Sequence, residues 1–494
     1  MARFIAPLAF SISFIFPGIA VAQTTPVPAP AQAQPASPRA AHVNAPLGDI
    51  SRMPGDGNGA YKTHEYRDLF AELGHSPAES RARIEHAFQQ LFHGDGQEER
   101  LYFETGANAN GPLAYITDWA NNDARSEGMS YGMMIAVQLD KKREFDAIWN
   151  WANTYMLITG EKNPSVGYFA WSMNTDGTPR STGAAPDGEE YFVMALYFAA
   201  HRWGNGQGIY NYQAEADKIL SLMRHHPVLT ATGPFRIHPD EPPFVPPDHP
   251  WPSPNNKHGA EEAEKSGKPL PAFRAPWDMV ARPQTIGPMV DEEHFMIRFI
   301  PNVDVNSTDA SYFLPAFYEL WARWGPPEDR EFWAKAADVS RDMFTKVTGQ
   351  ETGLAPDRNN FDGTPVEQRD GTPTPFSYDS WRTVSNWSVD YSWWKKDARE
   401  TALSDRIQKF LYGQGIRSFA DRYTLEGKPL STRHSAGMVA TTAVGSFAAT
   451  PGPVSKAFLE ELWTTPVPSG EQRYYDGLLY LMSMMHCSGT FRIY

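Results

Sequence analysis

Arg125-Ser126-Glu127-Gly128-Met129-Ser130-Tyr131-Gly132-Met133-Met134-Ile135-Ala136-Val137-Gln138-Leu139 is followed, across Asp140, by Lys141-Lys142-Arg143-Glu144-Phe145-Asp146-Ala147-Ile148-Trp149-Asn150-Trp151. The first run carries Gly, Met, Tyr and Ala round nearly all its faces, the mark of a helix with no side left for water. The second has one charged face and one apolar face, the mark of a helix between core and solvent. The pair reads as a hairpin of one inner and one outer helix. Working outward, apolar spacing at three and four residues predicts helices over 77–93, 127–139, 141–157, 187–201, 211–225, 309–324 and 326–347. Five more are predicted over 378–394, 397–413, 436–447, 454–463 and 473–487. Paired in order from 127 they make five hairpins, and the last helix closes against 77–93. Twelve helices in six pairs predict an all-α fold, an (α/α)6 barrel with an inner and an outer ring.

The flanks of this pattern read differently. Residues 1–22 have the form of an export signal: Arg3, an apolar run from Phe4 to Ile19, and Ala20-Val21-Ala22 as a cleavage site. Residues 23–55 are a Pro/Ala-rich linker, and the barrel domain is expected over 56–494. Prolines and charges crowd the stretch from about 227 to 290, which reads as a long surface insertion, with a second small domain as the alternative. No later segment approaches 18 uninterrupted apolar residues, so no membrane span is expected. The chain is therefore expected to be exported, to the periplasm or the medium.

Lys and Arg number 44 against 58 Asp and Glu, a net charge of −14, which excludes the basic face that nucleic acid or anionic lipid requires. A single cysteine excludes an intrachain disulfide and Cys-based metal centres. The 13% of aromatic residues suits stacking against sugar rings and suits a large core equally well.

The predicted inner helices begin Ser126-Glu127-Gly128, Pro186-Asp187-Gly188, Thr308-Asp309-Ala310, Tyr378-Asp379-Ser380 and Tyr475-Asp476-Gly477. Taken singly, an acid there is an ordinary helix cap. Taken together, inner helices running the same way would ring one mouth with carboxylates, beside Trp171, Tyr312, Tyr378 and Trp381. Glycoside hydrolysis needs that arrangement: an acid for the leaving oxygen and a base or nucleophile at the anomeric carbon. A helix N-terminus lowers a carboxyl pKa, so a general acid needs burial or a neighbouring carboxylate as counterweight. Glu127, with Asp187 beside it, meets that requirement. Asp309 and Asp476 read as structural caps, and Trp149, Trp151, Trp321 and Trp324 as core.

At Arg125–Met134 the chain resembles glycoside hydrolase family 8. The likeness continues through Gly167-Tyr168-Phe169-Ala170-Trp171-Ser172, Ala185-Pro186-Asp187-Gly188-Glu189-Glu190-Tyr191-Phe192 and Asp309-Ala310-Ser311-Tyr312-Phe313-Leu314-Pro315. Later matches are Ser377-Tyr378-Asp379-Ser380-Trp381-Arg382 and Arg473-Tyr474-Tyr475-Asp476-Gly477. Within that family the pattern is similar to that of the reducing-end xylose-releasing exo-oligoxylanases. The resemblance implies an (α/α)6 barrel, an inverting mechanism, no metal and no cofactor. It implies Glu127 as general acid and Asp379 as the general base that activates water. Asp187 would hold the reactive sugar, and Tyr312 and Arg382 would position the water and the base. Trp171, Trp381, Tyr378, Arg125 and His434 complete the expected sugar-contacting set. The expected partner is a xylooligosaccharide or related β-1,4-glycan, met by a monomer.

One departure stands out. Exo members close the cleft with a loop reading Leu-His-Pro, where this chain has Arg433-His434-Ser435. An endo-acting xylanase or β-glucanase is therefore the first alternative. A sugar-binding toroid without catalysis is the second, and an eliminating lyase the third.

Overall fold

The computed structural model describes residues 53–244 and 283–494. The expected export signal, most of the expected linker and residues 245–282 of the expected insertion lie outside these. All twelve expected helices are present: α1 (Pro77–Phe88), α2 (Ser126–Gln138), α3 (Lys142–Trp151), α4 (Pro186–Trp203), α5 (Tyr212–His225), α6 (Pro315–Trp324), α7 (Arg330–Val347), α8 (Arg382–Trp393), α9 (Arg399–Gly413), α10 (Ala436–Val444), α11 (Pro453–Thr464) and α12 (Arg473–Cys487). No helix among the described residues is long and apolar enough to cross a membrane.

The even-numbered helices form the inner ring. In α2 every residue except Glu127 is buried, as its all-round apolar pattern requires. Its neighbours approach so closely that two glycines are obligatory. A methyl group on Gly128 would lie 2.5 Å from the Tyr474 ring of α12, and one on Gly188 would lie 2.4 Å from Ser126 Oγ of α2. The ring continues from α4 to α6, where Tyr191 meets Phe317 edge-on with centroids 5.2 Å apart. It passes from α6 to α8, where the Trp394 indole N–H donates to Ala316 O at 3.1 Å. Between α10 and α12, Asp476 accepts from Gly437 N at 3.2 Å. Each outer helix packs on its inner partner, for example Trp333 of α7 against Trp321 of α6, with centroids 4.7 Å apart. Burying side chains of this size stabilises by about 1.5–3 kcal/mol each, which makes the aromatic surplus largely a packing feature. Trp149, Trp151 and Trp321 are buried as expected and Trp324 is half-buried; Cys487 is also buried.

The sequence pattern did not announce the sheet. Strands β1 (Tyr102–Asn108), β2 (Gly111–Asp118), β3 (Asp123–Arg125) and β4 (Ser172–Asn174) form one antiparallel sheet in that order. β3 runs straight into α2, and Arg125 pairs with Ser172, so the sheet fixes the entry of the helix that carries Glu127. At the described ends of the insertion, β5 (Leu229–Thr232) and β6 (Pro283–Ile286) pair antiparallel and bring its two flanks together.

Outer-to-inner connections share a small device. Asn174-Thr175-Asp176-Gly177-Thr178-Pro179 recurs as Asn360-Phe361-Asp362-Gly363-Thr364-Pro365 and as Gln368-Arg369-Asp370-Gly371-Thr372-Pro373. In each the Asp accepts from the Thr backbone and hydroxyl, as Asp176 does from Thr178 at 2.9 and 2.6 Å. The Gly takes a positive φ of 80–93° that favours glycine. These tight hairpins stiffen loops leading to the inner helix starts.

Candidate active site

Glu127, Asp187, Tyr312, Asp379 and Tyr475 face one cleft of about 880 Å³, so the inner helix starts do converge at one mouth. At its floor lies Arg382, the first residue of α8, buried at 3% exposure. One Arg382 nitrogen, Nη1, stands 3.3 Å from Glu127 Oε2 and 3.2 Å from Asp187 Oδ2, and also donates to the Tyr131 hydroxyl. The other, Nη2, stands 3.0 Å from Asp379 Oδ1 and donates to Ser311 Oγ at 2.8 Å. Glu127 and Asp379 thus sit on opposite arms of one guanidinium, apart from each other.

Glu127 is not used as a helix cap. Its Oε1 accepts from the Tyr474 hydroxyl at 2.9 Å and its Oε2 faces Arg382, while α2 begins without a side-chain cap. Burial pushes Glu127 up to about 8. Arg382 pulls the other way, and Asp187 and Asp379 add to the rise. The helix N-terminus is outweighed, and Glu127 carries a proton at neutral pH. Asp187 is likewise raised by burial against the pull of Arg382; its Oδ1 accepts from Gly188 N at 2.9 Å.

Asp379 lies in a 3-10 turn, Tyr378–Trp381, just before α8. Its side chain is 38% exposed to the cleft, and its Oδ1 accepts from the Tyr475 hydroxyl at 3.2 Å. Ser377 and Ser380 lock the turn through reciprocal bonds. Tyr378 is forced to φ 38°, a strained value for a side-chain-bearing residue, and stands 47% exposed at the cleft wall. A water-accessible carboxylate facing a buried protonated one is an acid–base pair in layout.

Trp171 lines the cleft, with the Arg125 guanidinium 5.6 Å over its ring. Arg125 lines it too, held by Asp118 and Asp123 at 3.2 Å each. Two expected contacts are elsewhere. Trp381 is 1% exposed and donates its indole N–H to Asp421 O at 2.8 Å, so it is core beneath Tyr378 and Tyr475, not a sugar platform. His434 is turned away from the cleft: its Nδ1 is bonded to Phe419 O at 2.8 Å and its ring packs edge-on against Phe419 at 4.4 Å. Arg433, anchored by Asp421 and Asp476, takes the cleft side instead. In an extended stretch, neighbouring side chains point to opposite sides, and 434 is on the outer one.

Four contributors were missed: Tyr474, Tyr475, Ser311 and Tyr131. The two tyrosines could have been found from the rule that served for the acids, since they occupy the first turn of an inner helix. Asp309 caps its own turn, accepting from Ser311 N at 2.8 Å.

The family model for glycosyl hydrolases family 8 matches residues 109–237 and 299–489. The chain is 38% identical over 441 residues to the reducing-end xylose-releasing exo-oligoxylanase Rex8A of Paenibacillus barcinonensis, covering 89% of this chain and 99% of that one. It is 39% identical over 439 residues to the reducing end xylose-releasing exo-oligoxylanase of Halalkalibacterium halodurans, covering 88% and 96%. Among solved structures, a family 8 protein of Teredinibacter turnerae in complex with xylobiose is similar at TM-score 0.76 and 47% identity, covering 88% of this chain and 99% of that one. The chain belongs to glycosyl hydrolases family 8 and is a glycoside hydrolase with an (α/α)6 barrel.

Proposed function

We propose that the protein is an inverting hydrolase that releases xylose from the reducing end of xylooligosaccharides by cutting β-1,4 bonds. The observation that carries this is the placing of Glu127 and Asp379 on the two arms of the buried Arg382 guanidinium, both facing the cleft. In the reaction Glu127 gives its proton to the leaving glycosidic oxygen as the C1–O bond breaks. Asp379 takes a proton from a water whose oxygen bonds to C1 from the opposite face. A pair working this way is roughly 6.5–9.5 Å apart to admit the water. Asp187 holds the reacting sugar, Arg382 keeps both carboxyls in place, and Tyr312 borders the water's position. Trp171 and Tyr378 offer faces to sugar rings. The exo-oligoxylanase relatives at 38–39% identity support the choice of substrate. The signal-like sequence of residues 1–22 supports export, and the protein is proposed to act as a monomer.

A second reading, endo-acting xylanase, is favoured by His434, which is turned off the cleft where an exo-blocking loop would need it. A catalytic-mutant xylanase of Teredinibacter turnerae, solved in complex with xylohexaose, is 46% identical to this chain. Digestion of free and borohydride-reduced xylotetraose separates the two. Exo action gives xylose and xylotriose from the free sugar and almost nothing from the reduced one. Equal cutting of both, with a rapid fall in xylan viscosity, selects the endo reading. Loss of turnover in Glu127→Gln and in Asp379→Asn is expected under either; turnover retained in either variant overturns the assignment of that residue as acid or base.

A further inference from the structure

Behind Asp379 the fold assembles two more carboxyl groups that the reaction scheme leaves unused. Strand β7 (Ser307–Thr308) pairs antiparallel with β8 (Asn359–Asn360), Thr308 opposite Asn359, which sets Asp309 near Asp357. Asp357 N in turn donates to Pro375 O at 2.9 Å, tying it to the stretch that leads into the Asp379 turn. One carboxylate oxygen from each of Asp309, Asp357 and Asp379 lies within 4.8 Å of the others. Asp309 is 1% exposed, and its Oδ2 has no hydrogen-bond partner; Asp357 Oδ1 is likewise covered and without one.

The groups facing this cluster can be named element by element. Arg382 of α8 and Tyr475 of α12 both contact Asp379. Glu127 of α2, Asp187 of α4 and Tyr312 of the turn before α6 feel its charge. Arg358 lies 3.8 Å over Phe299, donates to Ser307 Oγ at 2.9 Å, and feels Asp309 and Asp357. Arg382 Nη2 and the Tyr475 hydroxyl both hold Asp379 Oδ1, so the Asp379 carboxylate is shared between a cation, a phenol and two covered carboxyl groups.

We propose that Asp357 is a positioning residue that acts through Asp379: its ionised carboxylate, held against Asp379 by the β7–β8 ladder, strengthens Asp379 as the base that takes the proton from the attacking water. This rests on the role of Asp379 as general base. Three like charges this close do not all persist at once. Burial pushes Asp309 well above its ordinary value, which favours its neutral form. Burial, with Asp379 next, raises Asp357 to about 7. Below that pH Asp357 keeps its proton and lends Asp379 no charge; above it the ionised Asp357 carboxylate faces Asp379 and favours transfer of the water's proton to it. That proton then leaves to solvent through the open side of Asp379.

The test is the pH profile of kcat on xylotetraose for wild type, Asp357→Asn, Asp357→Glu and Asp379→Asn. Asp357→Asn is expected to match wild type at pH 5 and to fall about tenfold below it at pH 7.5, with KM within about twofold and the acid limb moved down by about one pH unit or more. Asp357→Glu, which keeps the charge, is expected to restore most of the wild-type profile. A merely structural Asp357 would lower kcat by the same factor at every pH and raise KM, which overturns the proposal. So does an Asp357→Asn enzyme with the wild-type profile while Asp379→Asn is inactive. Turnover retained in Asp379→Asn overturns the role of the base itself, a separate failure.

Discussion

Replacing Glu127 by Gln should make the protein more stable in alkali while abolishing its chemistry. Glu127 rises from 4.5 to about 8 in the folded state, chiefly by burial. A carboxyl whose folded value is raised favours the native state fully below its unfolded value, and that contribution is lost as pH rises through the folded one. At about 1.36 kcal/mol per unit, the wild type loses at most about 4 kcal/mol between pH 5 and 9 that an uncharged Gln does not lose. Asp187 and Asp379 share the same guanidinium and redistribute part of this, so about 2 kcal/mol is the expected gain for the variant at pH 9 relative to pH 5. In a chain of this size that is about 2 °C in unfolding midpoint. Thermal unfolding of wild type and Glu127→Gln at both pH values, scanned at one rate, measures it, with xylotetraose turnover in parallel. A stability gap between the two proteins that does not widen from pH 5 to pH 9 would refute the reading of Glu127 as an acid kept protonated by its surroundings.

Tyr474→Phe removes a donor that favours ionised Glu127, so the alkaline limb of kcat/KM should move up by about half a pH unit. Gly128→Ala drives a methyl into the Tyr474 ring and should cost about 1–3 kcal/mol in urea unfolding, with the same shift of the alkaline limb as Tyr474→Phe. Arg382→Met strips the shared cation from Glu127, Asp187 and Asp379; it should lower kcat by about a hundredfold or more and destabilise by about 3–5 kcal/mol. His434→Ala, off the cleft, should leave KM for xylotriose and xylotetraose within about twofold of wild type, as initial-rate kinetics would show.

The barrel was legible because both rings have 3.6-residue periodicity and differ in how much of each helix is apolar. α2 and α3 alone carry that contrast. The acids at the starts of α2 and α4 and in the turn before α8 were legible for a geometric reason: parallel inner helices put their first turns at one end. What failed was direction within a loop. Trp381 and His434 have the chemistry of sugar contacts, but one rotates under Tyr378 and the other takes the outer side of an extended stretch. The sheet was missed because β1 is exposed along most of its length and shows no apolar alternation. The Asp-Gly-Thr-Pro hairpins were written in ordinary turn chemistry and could have been found. Asp357 was not legible at all: it sits in a loop, and only the pairing of β7 with β8 brings it to Asp379.

Time-resolved proton NMR of xylotetraose cleavage tests the central claim most directly, because one spectrum reports both the bond cut and the stereochemistry. Inverting exo action predicts xylose and xylotriose as first products, with the new xylotriose reducing end appearing in the α form before mutarotation. Xylobiose as the main early product, or a new reducing end that appears first in the β form, would contradict it.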